Sequence, residues 1–136
     1  MNQVVERAAG CLAGLALGDA MGMPGELWVP ERIHKTWGWL SGFHPAPPGH
    51  QIVDGFVAGQ VTDDTQQAYM LARTICSADG EVRAEDVARE LVAWADRVGA
   101  SDGNFLGPSS AKAIDLLRSG ADPRSTGAGG ETNGAA

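Results

Sequence analysis

Residues 59–77 read GQVTDDTQQAYMLARTICS, and this stretch decides how the chain folds. Thr62 belongs to the residue types that cap helix N-termini, and the acidic pair Asp63 and Asp64 follows where the helix dipole favours negative charge. Apolar side chains then recur at helical spacing, at Ala68, Leu71, Ala72 and Ile75. The pattern predicts a helix over residues 62–77.

The rest of the chain is predicted to be helical as well. Similar periodicity and capping signals predict further helices over residues 4–21, 30–35, 83–98 and 109–118. No segment alternates apolar and polar residues as a half-buried strand does, and no internal repeat is present. We therefore predict an all-α fold, with residues 1–136 forming part of a single domain.

Small residues in the first helix, among them Gly10, Gly14 and Gly18, predict a neighbouring helix packed closely against it. Glycine weakens a helix by roughly 1 kcal/mol relative to alanine, so its repeated use there indicates a packing or ligand role. Cys11 and Cys76 lie in apolar helical patterns and are expected to be small buried residues of a reducing compartment.

The charge of the chain excludes one class of partner. Its formal net charge is -7, from 17 acidic and 10 basic residues, and no run of Lys or Arg occurs. A nucleic-acid-binding protein needs a basic surface, so we expect no nucleic-acid partner. Asp19 interrupts the apolar segment 8–23, which is also too short and glycine-rich to span a membrane. Without a visible signal peptide, we expect a cytoplasmic protein with no membrane partner.

Three clusters carry possible chemistry. Thr62, Asp63 and Asp64 offer only hard oxygen ligands, which suit Mg²⁺ or Mn²⁺. For these residues alone, however, an ordinary acidic helix start is the commoner explanation. Asp19 and Glu26 lie in a glycine-rich segment at the end of the first helix, and the alternative for Glu26 is a solvated loop carboxylate.

The third cluster is the glycine-rich segment 129–134, which includes Thr132, Asn133 and Gly134. Such a backbone can present N–H groups to a phosphate. A disordered tail is the competing explanation for this composition.

Taken together, the motifs and their order resemble the ADP-ribosylglycohydrolase family, in particular the N-terminal portion of glycohydrolases like the dinitrogenase reductase-activating one. GCLAGLALGDAMG at 10–22 is similar to the family's opening G-x-x-x-G-x-A-x-G-D-A-x-G helix, and GQVTDDT at 59–65 matches its G-x-x-T-D-D-T metal motif. SSAKAI at 109–114 is similar to its T-T-x-x-A-L helix, and TNGAA at 132–136 to its N-G-A motif.

The resemblance implies a helical bundle with a two-metal centre of Mg²⁺ or Mn²⁺ that hydrolyses the N- or O-glycosidic bond between ADP-ribose and an acceptor. The implied substrate is an ADP-ribosylated protein or a small ADP-ribose conjugate. The implied metal ligands are Thr62, Asp63 and Asp64. The two aspartates, together with Glu26 as the family's mobile glutamate, are the expected catalytic residues. The expected substrate-binding residues are Asp19, Thr132, Asn133 and Gly134.

One departure from the family pattern bears on activity. The family carries its remaining metal ligands in a later D-x-D-T cluster, which these 136 residues do not contain. We therefore expect a fragment with weak metal binding and little activity alone. Its partner would be a complementary C-terminal segment or a second copy. The alternatives are a non-catalytic ADP-ribose-binding pseudoenzyme and a helical interaction module.

Overall fold

The computed structural model of the chain describes residues 2–100 and 106–128, which contain α-helices and no β-strand. The helices are α1 (Gln3–Gly22), α2 (Pro30–Trp37), α3 (Asp63–Ser77), α4 (Ala84–Val98) and α5 (Pro108–Arg118). Short 3-10 helices occur at Met23–Gly25 and Pro123–Ser125. The all-α prediction is confirmed, and every predicted helix lies within two residues of its expected bounds.

The chain divides into two compact units, Met1–Thr65 and Gln66–Ala136. The boundary falls one turn into α3, so this helix begins in the first unit and continues through the second. The assignment of residues 1–136 to one domain stays a prediction.

The first unit opens with α1, whose N-terminus is capped by Asn2: its Oδ1 accepts a hydrogen bond from the Val4 N–H at 3.0 Å. The glycines of this helix have no close neighbour in the described part of the chain. A Cβ atom added at Gly10, Gly14 or Gly18 would meet nothing within 4 Å. The prediction of a closely packed neighbour is therefore wrong for residues 2–100 and 106–128.

A small apolar core lies in the irregular segment that follows. Met23, Ala46 and Val53 are buried, and the half-buried Ile52 and Phe56 pack against them. The Ala46 N–H donates to the Phe56 carbonyl at 2.9 Å, which closes the loop over this core. This irregular segment is therefore ordered by its own apolar contacts.

The core of the second unit is formed by side chains from α3, α4 and α5. Met70, Trp94, Ala95, Ala100 and Ile114 are buried together. The indole N–H of Trp94 donates to the Gln66 side chain at 3.0 Å, which satisfies the polar edge of an otherwise apolar ring. On the surface of this unit, Arg124 pairs with Glu85 at 2.7 Å.

Both cysteines are exposed, so the prediction that they are buried is wrong. Thr74 is the buried residue in the last turns of α3, and Cys76, two positions on, points away from it. Cys11 belongs to the exposed N-terminal half of α1, where Val4 and Val5 are 70% and 57% exposed. None of the helices in residues 2–100 and 106–128 has the length and apolar character needed to cross a lipid bilayer.

Candidate active site

Asp19, in the last turn of α1, organises the start of α3. Its Oδ2 accepts hydrogen bonds from the Thr62 N–H at 2.8 Å and the Thr65 N–H at 3.3 Å, and from the Thr65 hydroxyl. The first N–H groups of a helix have no partner within it, so an external carboxylate satisfies them. Asp19 thereby fixes the first turn of α3 against α1.

Thr62 has the capping role predicted from the sequence. Its hydroxyl oxygen accepts a hydrogen bond from the Asp64 N–H at 3.3 Å. Asp63 and Asp64 consequently occupy the first turn of α3, and both side chains are half-buried. A helix start that buries two adjacent carboxylates is more costly than one that exposes them to water, because charged groups lose hydration on burial.

Glu26 follows directly after the 3-10 helix Met23–Gly25, whose three residues are buried. Gly25 packs closely there: a Cβ atom would lie 3.1 Å from Cδ1 of Ile33 in α2, so that the Ile33 side chain would have to shift by a few tenths of an ångström. The Glu26 N–H donates to the Met23 carbonyl at 3.2 Å, and the Trp28 N–H to the Gly25 carbonyl at 3.0 Å. These contacts hold the backbone on both sides of Glu26.

Leu27, the next residue, has a φ of 57°, in the left-handed region that a leucine rarely adopts. This conformation costs roughly 1–2 kcal/mol for a residue with a Cβ atom. The side chain is 69% exposed, so burial of its apolar surface offsets little of that cost. The strained residue adjoins a predicted catalytic residue, as is common at functional sites.

The electrostatics show that the carboxylates lie within range of one another. Burial, followed by repulsion from Asp64 and smaller contributions from Glu26 and Asp19, raises the pKa of Asp63 to about 6, although a backbone hydrogen bond opposes the shift. Lost hydration, then Asp64 and Asp19, also raises the pKa of Glu26. Four carboxyl groups from three segments of the first unit thus form what we call the carboxylate cluster: Asp19, Glu26, Asp63 and Asp64.

Two kinds of chemistry suit the carboxylate cluster. An acid whose pKa is moved towards neutrality can exchange protons near physiological pH, as general acids and bases do. Adjacent half-buried carboxylates also attract cations, and their oxygen atoms are ligands that Mg²⁺ and Mn²⁺ prefer. Over residues 2–100 and 106–128, however, no three His, Cys, Asp or Glu side chains converge closely enough to hold a metal ion. The donor chemistry fits a divalent cation, but a complete ligand set is not assembled in this part of the chain.

The structure brings together some of the predicted site residues and leaves others undescribed. Thr62 adjoins the carboxylate cluster as the cap of α3. The predicted phosphate-binding residues Thr132, Asn133 and Gly134 lie outside the described residues, so their role stays a prediction. Thr65 was missed as a partner of Asp19. Its position in the first turn of α3, where backbone N–H groups lack helical partners, was the signal available.

Comparison with known proteins matches the chain to a family and to several relatives. The family model described as ADP-ribosylglycohydrolase matches residues 1–136. The chain is 39% identical to "Uncharacterized protein YegU" of Escherichia coli (strain K12) over 131 residues. This aligned region covers 96% of this chain and 39% of that protein. It is 36% identical over 134 residues to an "Uncharacterized protein" of Archaeoglobus fulgidus, covering 96% of this chain and 40% of that one.

A third relative has a stated activity. The chain is 32% identical over 91 residues to "ADP-ribosyl-[dinitrogen reductase] glycohydrolase" of Rhodospirillum rubrum, covering 67% of this chain and 29% of that enzyme. The chain spans about two fifths of the length of the two relatives that match nearly all of it. The family match extends over every residue, and it includes the segments that carry the carboxylate cluster. This chain belongs to the ADP-ribosylglycohydrolase family.

Proposed function

We propose that the chain supplies part of an enzyme that hydrolyses the bond between ADP-ribose and an acceptor, with a divalent metal ion. The observation that carries the proposal is the carboxylate cluster, where burial and neighbouring carboxylates raise the pKa of Asp63 to about 6. An ordinary acidic helix start would expose its carboxylates and lower their pKa values through the helix dipole. The raised value therefore favours a functional site over simple capping.

Mg²⁺ or Mn²⁺ is the proposed metal, and Thr62, Asp63 and Asp64 are the residues that would hold it. When bound, a divalent ion orients substrate hydroxyls and lowers the pKa of water. Three protein groups do not fill the coordination shells of two such ions, which prefer six ligands. Water or further oxygen ligands would complete the sites.

The side chains of the cluster have separable roles in this proposal. Asp19 keeps the first turn of α3 in place through its bonds to Thr62 and Thr65, so that Asp63 and Asp64 project from a fixed backbone. Glu26 lies within electrostatic range of Asp64 and is exposed, so a substrate can reach it. Its raised pKa suits a group that exchanges a proton with water or with the leaving acceptor. Glycosidic bonds break through an oxocarbenium-like transition state, which nearby carboxylates stabilise.

The proposed substrate is an ADP-ribosylated protein or a small ADP-ribose conjugate. The Rhodospirillum rubrum relative is named for its action on ADP-ribosyl-dinitrogen reductase. A linkage through an arginine nitrogen and one through a serine oxygen differ in the basicity of the leaving group, so both serve as test substrates.

The test compares hydrolysis of ADP-ribosyl-arginine and ADP-ribosyl-serine by the chain with Mg²⁺, with Mn²⁺ and with a chelator. We expect slow turnover that the chelator abolishes, and that Asp63→Asn or Asp64→Asn reduces by about 100-fold or more. The matched control is Asp79→Asn: Asp79 is exposed, and its φ of 53° is one that asparagine tolerates. Turnover that neither the chelator nor the two cluster variants changes would contradict the proposal.

A second candidate is a non-catalytic ADP-ribose-binding protein. It is favoured by one observation: the described residues do not assemble three convergent metal ligands. Calorimetry with ADP-ribose separates the two candidates, because a metal-dependent site loses affinity in a chelator and a metal-independent one does not. For a helical interaction module, the third alternative, we expect no heat of binding at all.

A further inference from the structure

The side chain of Glu26 has no hydrogen bond or ion pair within residues 2–100 and 106–128. The charged groups that act on the Glu26 carboxylate are those of Asp64 and Asp19, and both repel it when all three are ionised. No contact of its own side chain therefore keeps Glu26 near the other members of the carboxylate cluster. Its position depends on the backbone that carries it.

That backbone is constrained on one side by the buried 3-10 helix Met23–Gly25 and on the other by Trp28. Between the two constraints lie only Glu26 and the strained, exposed Leu27. A left-handed residue with an exposed side chain returns to a common backbone conformation unless both of its neighbours are held. On the far side, the turn is held by Trp28, through the hydrogen bond from its N–H to the Gly25 carbonyl and through the contacts of its side chain.

Trp28 is anchored by what we call the Trp28 stack, which comprises Trp28, Arg32, Trp37 and His50. The Trp28 and Trp37 rings stack with centroids 5.3 Å apart and planes at 22°. The His50 ring stacks on the Trp28 ring, with centroids 5.6 Å apart and planes at 21°. The Arg32 guanidinium carbon lies 3.5 Å from the Trp28 ring centroid, at the distance of a cation–π contact. Two residues of α2 and one from a separate loop thus hold a single side chain.

His50 fixes the loop end of the stack. The residue is 5% exposed, and its Nδ1 accepts hydrogen bonds from the Ile52 and Val53 N–H groups, both at 3.2 Å. Because Nδ1 acts as the acceptor, the ring proton of the neutral form is on Nε2. Nε2 is buried and has no hydrogen-bond partner among the described residues. The His50 ring is thus oriented by the two backbone hydrogen bonds and by its stack on Trp28, so that replacing Trp28 removes one of the supports of His50.

We propose that Trp28 is a positioning residue: the Trp28 stack holds the turn that keeps Glu26 beside Asp19 and the first turn of α3. All of these interactions lie within the first unit. They run from Asp64 to Glu26, through the Gly25–Trp28 turn, to His50. Without the stack, relaxation of Leu27 and repulsion by the other carboxylates both move Glu26 outwards. The catalytic consequence rests on the proposed function, whereas the positioning itself does not.

The test is limited proteolysis with a glutamyl endopeptidase, which cleaves after glutamate and therefore reports on Glu26 directly. Cleavage of a folded protein follows the population of locally opened states. We expect Trp28→Ala to speed cleavage after Glu26 by about tenfold or more, while the circular dichroism spectrum of the variant remains that of a helical protein. Trp39→Ala is the matched control, since Trp39 is 84% exposed and outside the stack; we expect it to change the rate by less than about twofold.

Cleavage after Glu81, in the exposed connection between α3 and α4, serves as the internal reference. An unchanged rate at Glu26 in Trp28→Ala would overturn the proposal. An equal rise at Glu26 and Glu81 would overturn it too, because Trp28 would then stabilise the whole fold and not the turn. If Trp28→Ala does not fold, Trp28→Phe decides by the same two readings, with a smaller rise expected because phenylalanine keeps part of the stacking.

Activity provides a separate reading. If the proposed hydrolysis occurs, Trp28→Ala lowers kcat about tenfold or more and leaves the affinity for Mn²⁺ within about twofold, since the metal-binding residues are untouched. If neither the chelator nor Asp63→Asn changes the turnover of the chain, the proposed function fails, while the proteolysis result still decides the positioning role. A loss of Mn²⁺ affinity in Trp28→Ala equal to that in Asp63→Asn would count against a role limited to Glu26.

Discussion

Replacing Asp63 with asparagine tests the nature of the carboxylate cluster by the sign of a stability change. The folded state raises the pKa of Asp63 from 3.8 to about 6, a difference of about 2.2. At about 1.4 kcal/mol for each pKa unit, this corresponds to at most about 3 kcal/mol of destabilisation when the group is ionised. The side chain is only half-buried, so solvent screening reduces the expected effect to about 1 kcal/mol.

The pH dependence follows from the direction of the shift. Between pH 4 and pH 6 the folded protein holds a proton on Asp63 that the unfolded chain has released, so stability falls as pH rises through this range. Asp63→Asn removes this titration. We therefore expect the variant to match the wild type near pH 4 and to be more stable by about 1 kcal/mol above pH 7, which is about 3 °C in Tm for a chain of this size.

The assay is thermal and urea unfolding of both proteins from pH 4 to pH 8, followed by circular dichroism. Excess Mg²⁺ is added in a parallel series, where we expect stabilisation of the wild type and not of the variant, because a ligand stabilises only the state that binds it. If Asp63 is an ordinary helix-start residue, Asp63→Asn lowers stability by about 0.3–1 kcal/mol at pH 7 through the lost dipole interaction. Destabilisation at pH 7 would therefore refute the reasoning.

Two further predictions concern the residues that hold the cluster. Asp19→Ala removes the acceptor for the Thr62 and Thr65 N–H groups, and we expect a loss of about 2 kcal/mol in urea unfolding at pH 7, within the range for hydrogen bonds to charged groups. An unchanged urea midpoint would show that water replaces the carboxylate without cost. Leu27→Gly relieves the left-handed backbone, and we expect a gain of up to about 1 kcal/mol, read as a higher Tm. A lower Tm would mean that the exposed leucine has a stabilising contact.

The helices were predictable because their signals are local. Thr62 and the apolar residues at helical spacing after it define α3 without knowledge of the rest of the chain. The hydrogen bond from Thr62 to Asp19 joins residues 43 positions apart, and no local pattern specifies it. The family motifs did place both residues near one site, although as substrate and metal ligands and not as partners of each other.

Other features could not be read from residue types. Leucine is rarely left-handed, so Leu27 gave no sign of its φ of 57°. The apolar pattern around Cys11 identified a helix, but it could not establish whether another part of the described chain packs against this helix. The contact between Trp28 and His50 could not be read from the sequence, because a stack between a turn and a distant loop depends on tertiary structure.

The bonding of Asp19 limits how this residue can serve a substrate. All three of its hydrogen bonds end on Oδ2, and within the described chain Oδ1 has none. A hydroxyl group that approached Oδ1 would leave the helix start intact, whereas one that competed for Oδ2 would have to release two backbone amides. A ligand bound through this aspartate without disturbing α3 would therefore approach Oδ1, and a pose that required Oδ2 would have to loosen the first turn of the helix.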